Sequence, residues 1–285
     1  MTDLFASVEI LKICWQYFIL GIIQGITEFL PISSTAHLKV LPMMLGWDDP
    51  GVSVSATIQL GSIAAIIIYF RNDLKKIIKG IVVAIIQKKY TEPNAQLGIA
   101  LIIGSMPILL AGIYIKLFWN DFDISPIRSI PSISIVSILM AFLLAYAEKI
   151  GSRKKKLSSM KSIAGIWIGL GQMLAIIPGV SRSGISLTTA LIYGFKREDA
   201  ARFSFLLGIP AISIAGIIEF NNALSSEFTT GGLPLIIGII TSASVSWLTI
   251  DWLIIYLKRS STKVFIIYRL LFGLLALIWW LDIRL

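Results

Sequence analysis

Charge is what this sequence has least of. Of its 285 residues 14% are Asp, Glu, Lys or Arg, while 56% are hydrophobic. An ordinary soluble domain carries about 25% charged and about 45–50% apolar residues. Charges this sparse cannot cover a water-exposed surface, so a soluble globule is excluded. Cysteine is nearly missing too: Cys14 stands alone, which excludes an intramolecular disulfide and leaves the redox compartment unread. His37 is the single histidine. The N-terminus does not read as a secretory signal peptide, because Asp3 and Glu9 precede an apolar run from Ile10 that outlasts a normal h-region.

What is present is apolar sequence in long runs. At about 20 residues per span, the chain has room for about six to eight membrane segments. Apolar segments lie at about 53–70, 97–118, 131–148, 203–219, 233–257 and 264–281. A further run, 76–87, is short and laced with lysine, which predicts a helix lying at the interface. Residues 10–47 and 162–195 are apolar but broken by polar, Gly/Pro-containing strings, EFLPISSTAH at 28–37 and PGVSRSGIS at 178–186. Irregular backbone cannot face lipid, so both breaks must be buried in protein or line a wet cavity.

The net charge of +9 predicts no nucleic-acid partner, because the basic residues sit in short clusters between apolar runs, where topology needs them. Arg71, Lys75, Lys76, Lys79, Lys88 and Lys89 form one cluster. Lys149, Arg153, Lys154, Lys155, Lys156 and Lys161 form another, and Lys258, Arg259 and Lys263 a third. These loops should be cytoplasmic, and the acid-leaning loops at Asp48–Asp49, Asp121–Asp123 and Glu219–Glu227 external, with Lys116 and Arg128 as minor exceptions. One span then joins the loop at 149–161 to that at 220–232, so region 162–195 must enter and return on the cytoplasmic side. Its second arm, Ile185–Gly194, is too short to cross. By analogy 10–47 enters and returns from outside. The predicted fold is an all-α integral membrane protein of six transmembrane helices plus two re-entrant helical hairpins. It forms a single polytopic domain over 1–285, with inverted-topology repeats of about 1–150 and 160–285.

The breaks carry the chemistry. Gln24 and Glu28 are four apart and share a helix face. Ser33, Ser34, Thr35 and His37 follow Pro31. A carboxylate inside a membrane segment is costly and points to function; taken alone, Glu28 is also explained as a partner of neighbouring helices. In the second break Gly179, Ser181, Arg182 and Ser183 precede a helix start. Arginine with hydroxyls and free N–H groups makes a phosphate site, against the plain alternative of a hairpin turn with a snorkelling arginine. No Walker loop is present. A carboxylate beside an amide suits a divalent cation, which with Arg182 would neutralise a diphosphate under attack by Ser34 or His37.

GIIQGITEFLPISSTAHL (21–38), QLGSIAAIIIYFR (59–71) and IPGVSRSGIS…RFSFLLGIPA (177–211) resemble the BacA-type undecaprenyl-diphosphate phosphatases of bacteria, along nearly the whole chain. The resemblance implies hydrolysis of undecaprenyl diphosphate to the monophosphate on the outer face of the plasma membrane, with Mg²⁺ or Ca²⁺. The product is the lipid carrier for peptidoglycan and other envelope polymers, and overproduced members confer bacitracin resistance. Carried over, the metal residues are Gln24 and Glu28, the catalytic ones Glu28, Ser34, His37 and Arg182. Ser33, Thr35, Gly179, Ser181, Ser183 and Ser186 would bind substrate. Gln24 stands where many members have Glu, Ala36 where Gly is frequent, and Ser186 where Thr is usual.

Two further charges lie inside predicted spans. Asp251 and Arg269 sit at matched depth, which predicts an ion pair between them. Trp279 and Trp280 read as interfacial anchors and the Arg153–Lys156 cluster as a topology signal. The rival functional class is a transporter or flippase of a phosphorylated lipid, since broken helices in inverted repeats also serve carriage. Oligomeric state, a homodimer included, is not legible here.

Overall fold

Apolar runs punctuated by proline, serine and glycine fold as helices. The structure, a computed structural model, describes residues 2–119, 121–122, 125–227 and 232–283, with the backbone alone for 2–7 and 219–227. In chain order the helices are α1 (Thr2–Thr27), α2 (Ser34–Met44), α3 (Gly51–Tyr69), α4 (Arg71–Gln87), α5 (Pro93–Phe118) and α6 (Ile130–Ile150). Then come α7 (Ser162–Met173), α8 (Arg182–Ile192), α9 (Arg197–Glu227), α10 (Leu233–Arg259) and α11 (Lys263–Asp282). Pro93, Pro131 and Pro234 occupy first-turn positions of α5, α6 and α10, where a missing N–H is harmless.

Seven of these helices are long and apolar enough to cross a membrane: α3, α5, α6, α10 and α11 whole, with Val8–Thr27 of α1 and Arg197–Ile218 of α9. The chain is a multi-pass membrane protein. The seventh is the first arm of region 10–47, whose helix runs unbroken from Thr2 to the break. Helix α9 continues through 219–227, where a loop was expected; Asp123 and the side chains of Glu219 and Glu227 lie outside the described residues. As the lysines predict, α4 is not among the crossing helices; it exposes Ile78, Val82, Ile85 and Ile86 while burying Ile77 and Ala84.

Small residues set the packing, because between helices in lipid close van der Waals approach replaces hydrophobic drive. Helix α1 packs on α10, α3 on α9 and α10, α5 on α7, and α6 on α11. A Cβ at Gly21 would lie 2.7 Å from the Gly238 carbonyl, and one at Gly61 2.1 Å from that of Ile239. On the other side Gly165 and Gly169 meet Ala100 and Gly104 just as closely. At the end of α6, Glu148 accepts from Arg153, Arg197 and Thr262, tying α9 and the α10–α11 turn together. Trp279 and Trp280 are partly buried against a cluster holding Ala36, Val40 and Phe272.

The predicted Asp251–Arg269 ion pair does not form. Asp251 accepts from the Tyr69 hydroxyl at 2.9 Å. Arg269 is buried and donates to the carbonyls of Ser137 (3.2 Å), Pro31 (3.0 Å), Val180 (3.2 Å) and Gly179 (2.6 Å). Matched depth is not matched direction: α10 faces α1 and α3, whereas α11 faces α6.

Candidate active site

The two breaks meet. After α1 the chain turns through 28–33, and after α7 through 177–181, each turn ending in a serine that caps the next helix. Ser33 (φ 78°, ψ 100°) accepts from the Ala36 N–H, and Ser181 (φ 72°, ψ 113°) from that of Gly184. Both serines hold a left-handed backbone that side chains seldom adopt, a strain of about 1–3 kcal/mol that persists where surrounding structure over-determines it. Gly21, Gln24 and Ser33 recur as Gly169, Gln172 and Ser181 at the same spacing. Arg269 joins the turns through Pro31, Gly179 and Val180, and the Ser183 hydroxyl contacts the Glu28 and Leu30 carbonyls at 3.0 Å each.

Glu28 is the hub. Its Oε1 accepts from Arg182 Nη2 at 2.8 Å and Gln59 Nε2 at 2.9 Å. Its Oε2 accepts from Ser34 Oγ at 2.7 Å and Gln24 Nε2 at 2.9 Å. Four donors converging on it fix the carboxylate in direction. Arg182 Nη1 has no hydrogen-bond partner among the described residues. Its Nη1 end abuts α9, where a Cβ at Gly208 would fall 1.1 Å from Nη1. Glycine is required there by that approach.

A cavity of about 180 Å³ has Glu28, Ser33, Ser34, Thr35, Gln59, Gly179, Ser181 and Arg182 in its lining. It adjoins a larger one of about 600 Å³ through the shared Ser34, Thr35, Gln59 and Ala215. Gln24 lines the larger one. Of the residues singled out in the sequence, three do not reach either space. Ser183 is turned to the carbonyls across the break. Ser186 sits inside the second hairpin, 3.5 Å from Gln172 Oε1. His37 is buried, its Nδ1–H donating to the Ser33 carbonyl at 2.7 Å and its Nε2 2.8 Å from the Tyr268 hydroxyl, with the ring stacked on Phe272 at 4.1 Å. The structure brings Ser34, Glu28 and Arg182 together and holds His37 behind them.

A family profile described as Bacitracin resistance protein BacA matches residues 17–275. The chain belongs to the BacA family. Among BacA-like relatives, an undecaprenyl-diphosphatase of Prochlorococcus marinus (strain MIT 9303) is 58% identical over 282 residues, covering 99% of this chain and 96% of that protein. The undecaprenyl-diphosphatase of Parasynechococcus marenigrum (strain WH8102) is 57% identical over 281 residues, 98% of each chain. That of Synechococcus sp. (strain WH7803) is 57% identical over 271 residues, 95% of each.

Sequence reasoning passed over Gln59 and Gly208 of this BacA-family site and misassigned Arg269. Gln59 signals itself as an amide in an otherwise apolar run. Arg269 was seen as a buried charge but assigned the wrong partner. Gly208 carries no sequence signal beyond its type, since only the folded position of Arg182 makes it necessary.

Proposed function

We propose that this protein is an undecaprenyl-diphosphate phosphatase, splitting the lipid diphosphate into undecaprenyl phosphate and inorganic phosphate. The observation that carries this reading is the convergence of a hydroxyl, Ser34, and a guanidinium, Arg182, on one buried carboxylate, Glu28. The relatives' shared name supplies the substrate. In this reading the product returns as carrier for peptidoglycan and other envelope polymers, which is how such an enzyme confers bacitracin resistance.

Phosphoryl transfer asks a protein for positioning and charge neutralisation more than for covalent skill. Arg182 lines the small cavity and offers its charge to the diphosphate, while Glu28 holds Nη2 and fixes the plane of the fork. The Ser34 hydroxyl is already donating to Glu28 Oε2, so that carboxylate takes its proton as Oγ attacks the terminal phosphorus. An Oγ–P bond forms, the P–O bond to the inner phosphate breaks, and undecaprenyl phosphate leaves. Water then splits the phosphoserine and releases phosphate. Ser33, Ser181, Gly179 and Thr35 line the space around the phosphates. His37 serves by holding the Ser33 carbonyl and so the start of α2.

The donor set fits a divalent cation that arrives with the substrate. Among the described residues no three His, Cys, Asp or Glu side chains cluster into a cage. A single carboxylate flanked by amides suits Mg²⁺, which binds through one or two carboxylates plus substrate phosphates. Glu28 and Gln24 would hold Mg²⁺ or Ca²⁺, which supplies neutralisation of the diphosphate charge.

For topology, we read α1–α2 and α7–α8 as re-entrant hairpins in an inverted repeat, placing the site toward the outer face of the plasma membrane. Supporting this, α2 and α8 have 11 residues each, about 16 Å, half of a hydrocarbon core of about 30 Å. The matching serine caps and the pairing of α1 with α10 and of α7 with α5 also favour it.

The test is phosphate release from purified protein given undecaprenyl diphosphate and Mg²⁺. Arg182→Ala and Glu28→Gln should each lower kcat by on the order of 10²–10³-fold. Full activity in both variants overturns the site. Quenched turnover should trap an acid-stable adduct at Ser34; a phosphohistidine at His37 would reverse that assignment. Transfer of lipid across vesicles without phosphate release would favour a carrier instead.

A further inference from the structure

Helices α5 and α9 touch where the Ser105 hydroxyl reaches the Leu207 carbonyl at 3.4 Å. Within a turn of that contact each helix carries an interior proline, Pro107 in α5 and Pro210 in α9. Proline removes a backbone bond and bends a helix. On the far side of the prolines the two helices line open space. Ile108, Gly112 and Ile115 from α5 and Ala211, Ala215 and Ile218 from α9 border the two cavities. Both triplets follow i, i+4, i+7 spacing, so each is one continuous stripe. All six are apolar and three are small. A Cβ at Gly112 would meet no atom within 4 Å.

The cavity is therefore two-sided. The wall from α2, α3 and the loop between them carries Thr35, Lys39, Asp49, Ser55 and Gln59, and the wall from α5 and α9 is a greasy cleft starting beside Glu28 and Arg182, with Lys116 at its far end. That division matches an amphiphile with a charged head and a branched hydrocarbon tail.

We infer that the α5–α9 cleft seats the first isoprene units of the substrate's polyprenyl tail, a reading that rests on the phosphatase function proposed above. The stripes span seven residues, about 10 Å of wall. Bound there, the tail holds the diphosphate against the Ser34–Glu28–Arg182 cluster and leads from the polar site into the bilayer between the two helices. Small residues at 112, 211 and 215 leave room for the methyl branches.

The experiment fills the cleft. Gly112→Phe and Ala215→Phe are compared with Ile113→Phe, which adds the same ring to an exposed face of α5 outside the cavity lining. Each protein, as full chain in detergent, is assayed for phosphate release from undecaprenyl diphosphate and for inhibition by inorganic diphosphate, a headgroup with no tail. The two cleft variants should raise KM for undecaprenyl diphosphate by about tenfold. Inhibition by inorganic diphosphate and the melting temperature should stay at wild-type values, and Ile113→Phe should match wild type throughout. If a phenylalanine variant loses its melting transition, Gly112→Leu takes its place in the comparison. Wild-type KM in both cleft variants overturns the inference. So does an equal rise in Ile113→Phe, or an equal weakening of diphosphate inhibition, which would place the damage at the headgroup. A wild-type protein that releases no phosphate overturns the phosphatase reading instead.

Discussion

At the scale of single residues, the site is organised by what surrounds Glu28 and Arg182. Gly208 gives a clean test, because glycine is there for space and not for backbone conformation. In Gly208→Ala the new Cβ would occupy the place of Arg182 Nη1. The guanidinium must shift, and a displacement of about 1 Å at a reacting group can cost about 10²-fold. Alanine also favours a helix over glycine by about 1 kcal/mol. Phosphate-release activity should therefore fall steeply while the melting temperature holds or rises; retained activity would show that Arg182 tolerates the move. Arg269 is the opposite case. Arg269→Met leaves the carbonyls of Pro31, Ser137, Gly179 and Val180 without their buried donor. Each orphaned acceptor costs about 1–3 kcal/mol, so a loss on the order of 3 kcal/mol or more is expected in thermal or denaturant unfolding. Much of this was legible in the chain itself. Glu28 and Arg182 stood out because charges in apolar segments need a reason, and Ser34 followed from its neighbours. The role of Arg269 was not, since spacing along a helix gives depth but not the neighbour it faces. His37 shares α2 with Ser34, but its ring nitrogens are taken by the Ser33 carbonyl and the Tyr268 hydroxyl, contacts that sequence spacing does not reveal.

At the scale of elements, close packing explains where glycine is spent. Helix α7 lies against α5 through Gly165 and Gly169, and a Cβ at Gly169 would fall 2.2 Å from the Gly104 carbonyl oxygen. Backbone cannot yield as a side-chain tip can. Gly169→Leu should force the two helices apart, and overpacking of this kind costs about 1–3 kcal/mol or more. The check is a lowered melting temperature, against Gly112→Leu, whose position on α5 is open. Because α7 delivers the turn that positions Arg182, activity should fall with it. Element boundaries were readable wherever proline or serine marks a helix start, as at Pro93 and Ser129. The length of α1 was less so: polar residues near its beginning hide a helix that continues outside the apolar window. Pairings of helices were not readable at all, because lipid-facing and protein-facing surfaces are equally apolar and only small residues distinguish them.

At the scale of the whole molecule, the topology we propose puts the main basic clusters at one end and the candidate site toward the other. Lys149, Arg153–Lys156, Lys258 and Lys263 gather near the ends of α6, α10 and α11, where Glu148 pairs with Arg153 and Arg197. The larger cavity is lined by Lys39 of α2 and Asp49 of the α2–α3 loop, a partly exposed ion pair of 3.4 Å. Positive charge stays on the cytoplasmic side during insertion, so the proposed topology gives these ends opposite addresses. Cys14→Ser gives a cysteine-free background, into which Asp49→Cys and Lys154→Cys are introduced singly. In intact cells a membrane-impermeant maleimide should label the first and spare the second, and permeabilisation should expose both. The reversed pattern would turn the site toward the cytoplasm, where a lipid diphosphate presented outside could not reach Ser34. Labelling of both in intact cells would break the link between charge and side altogether.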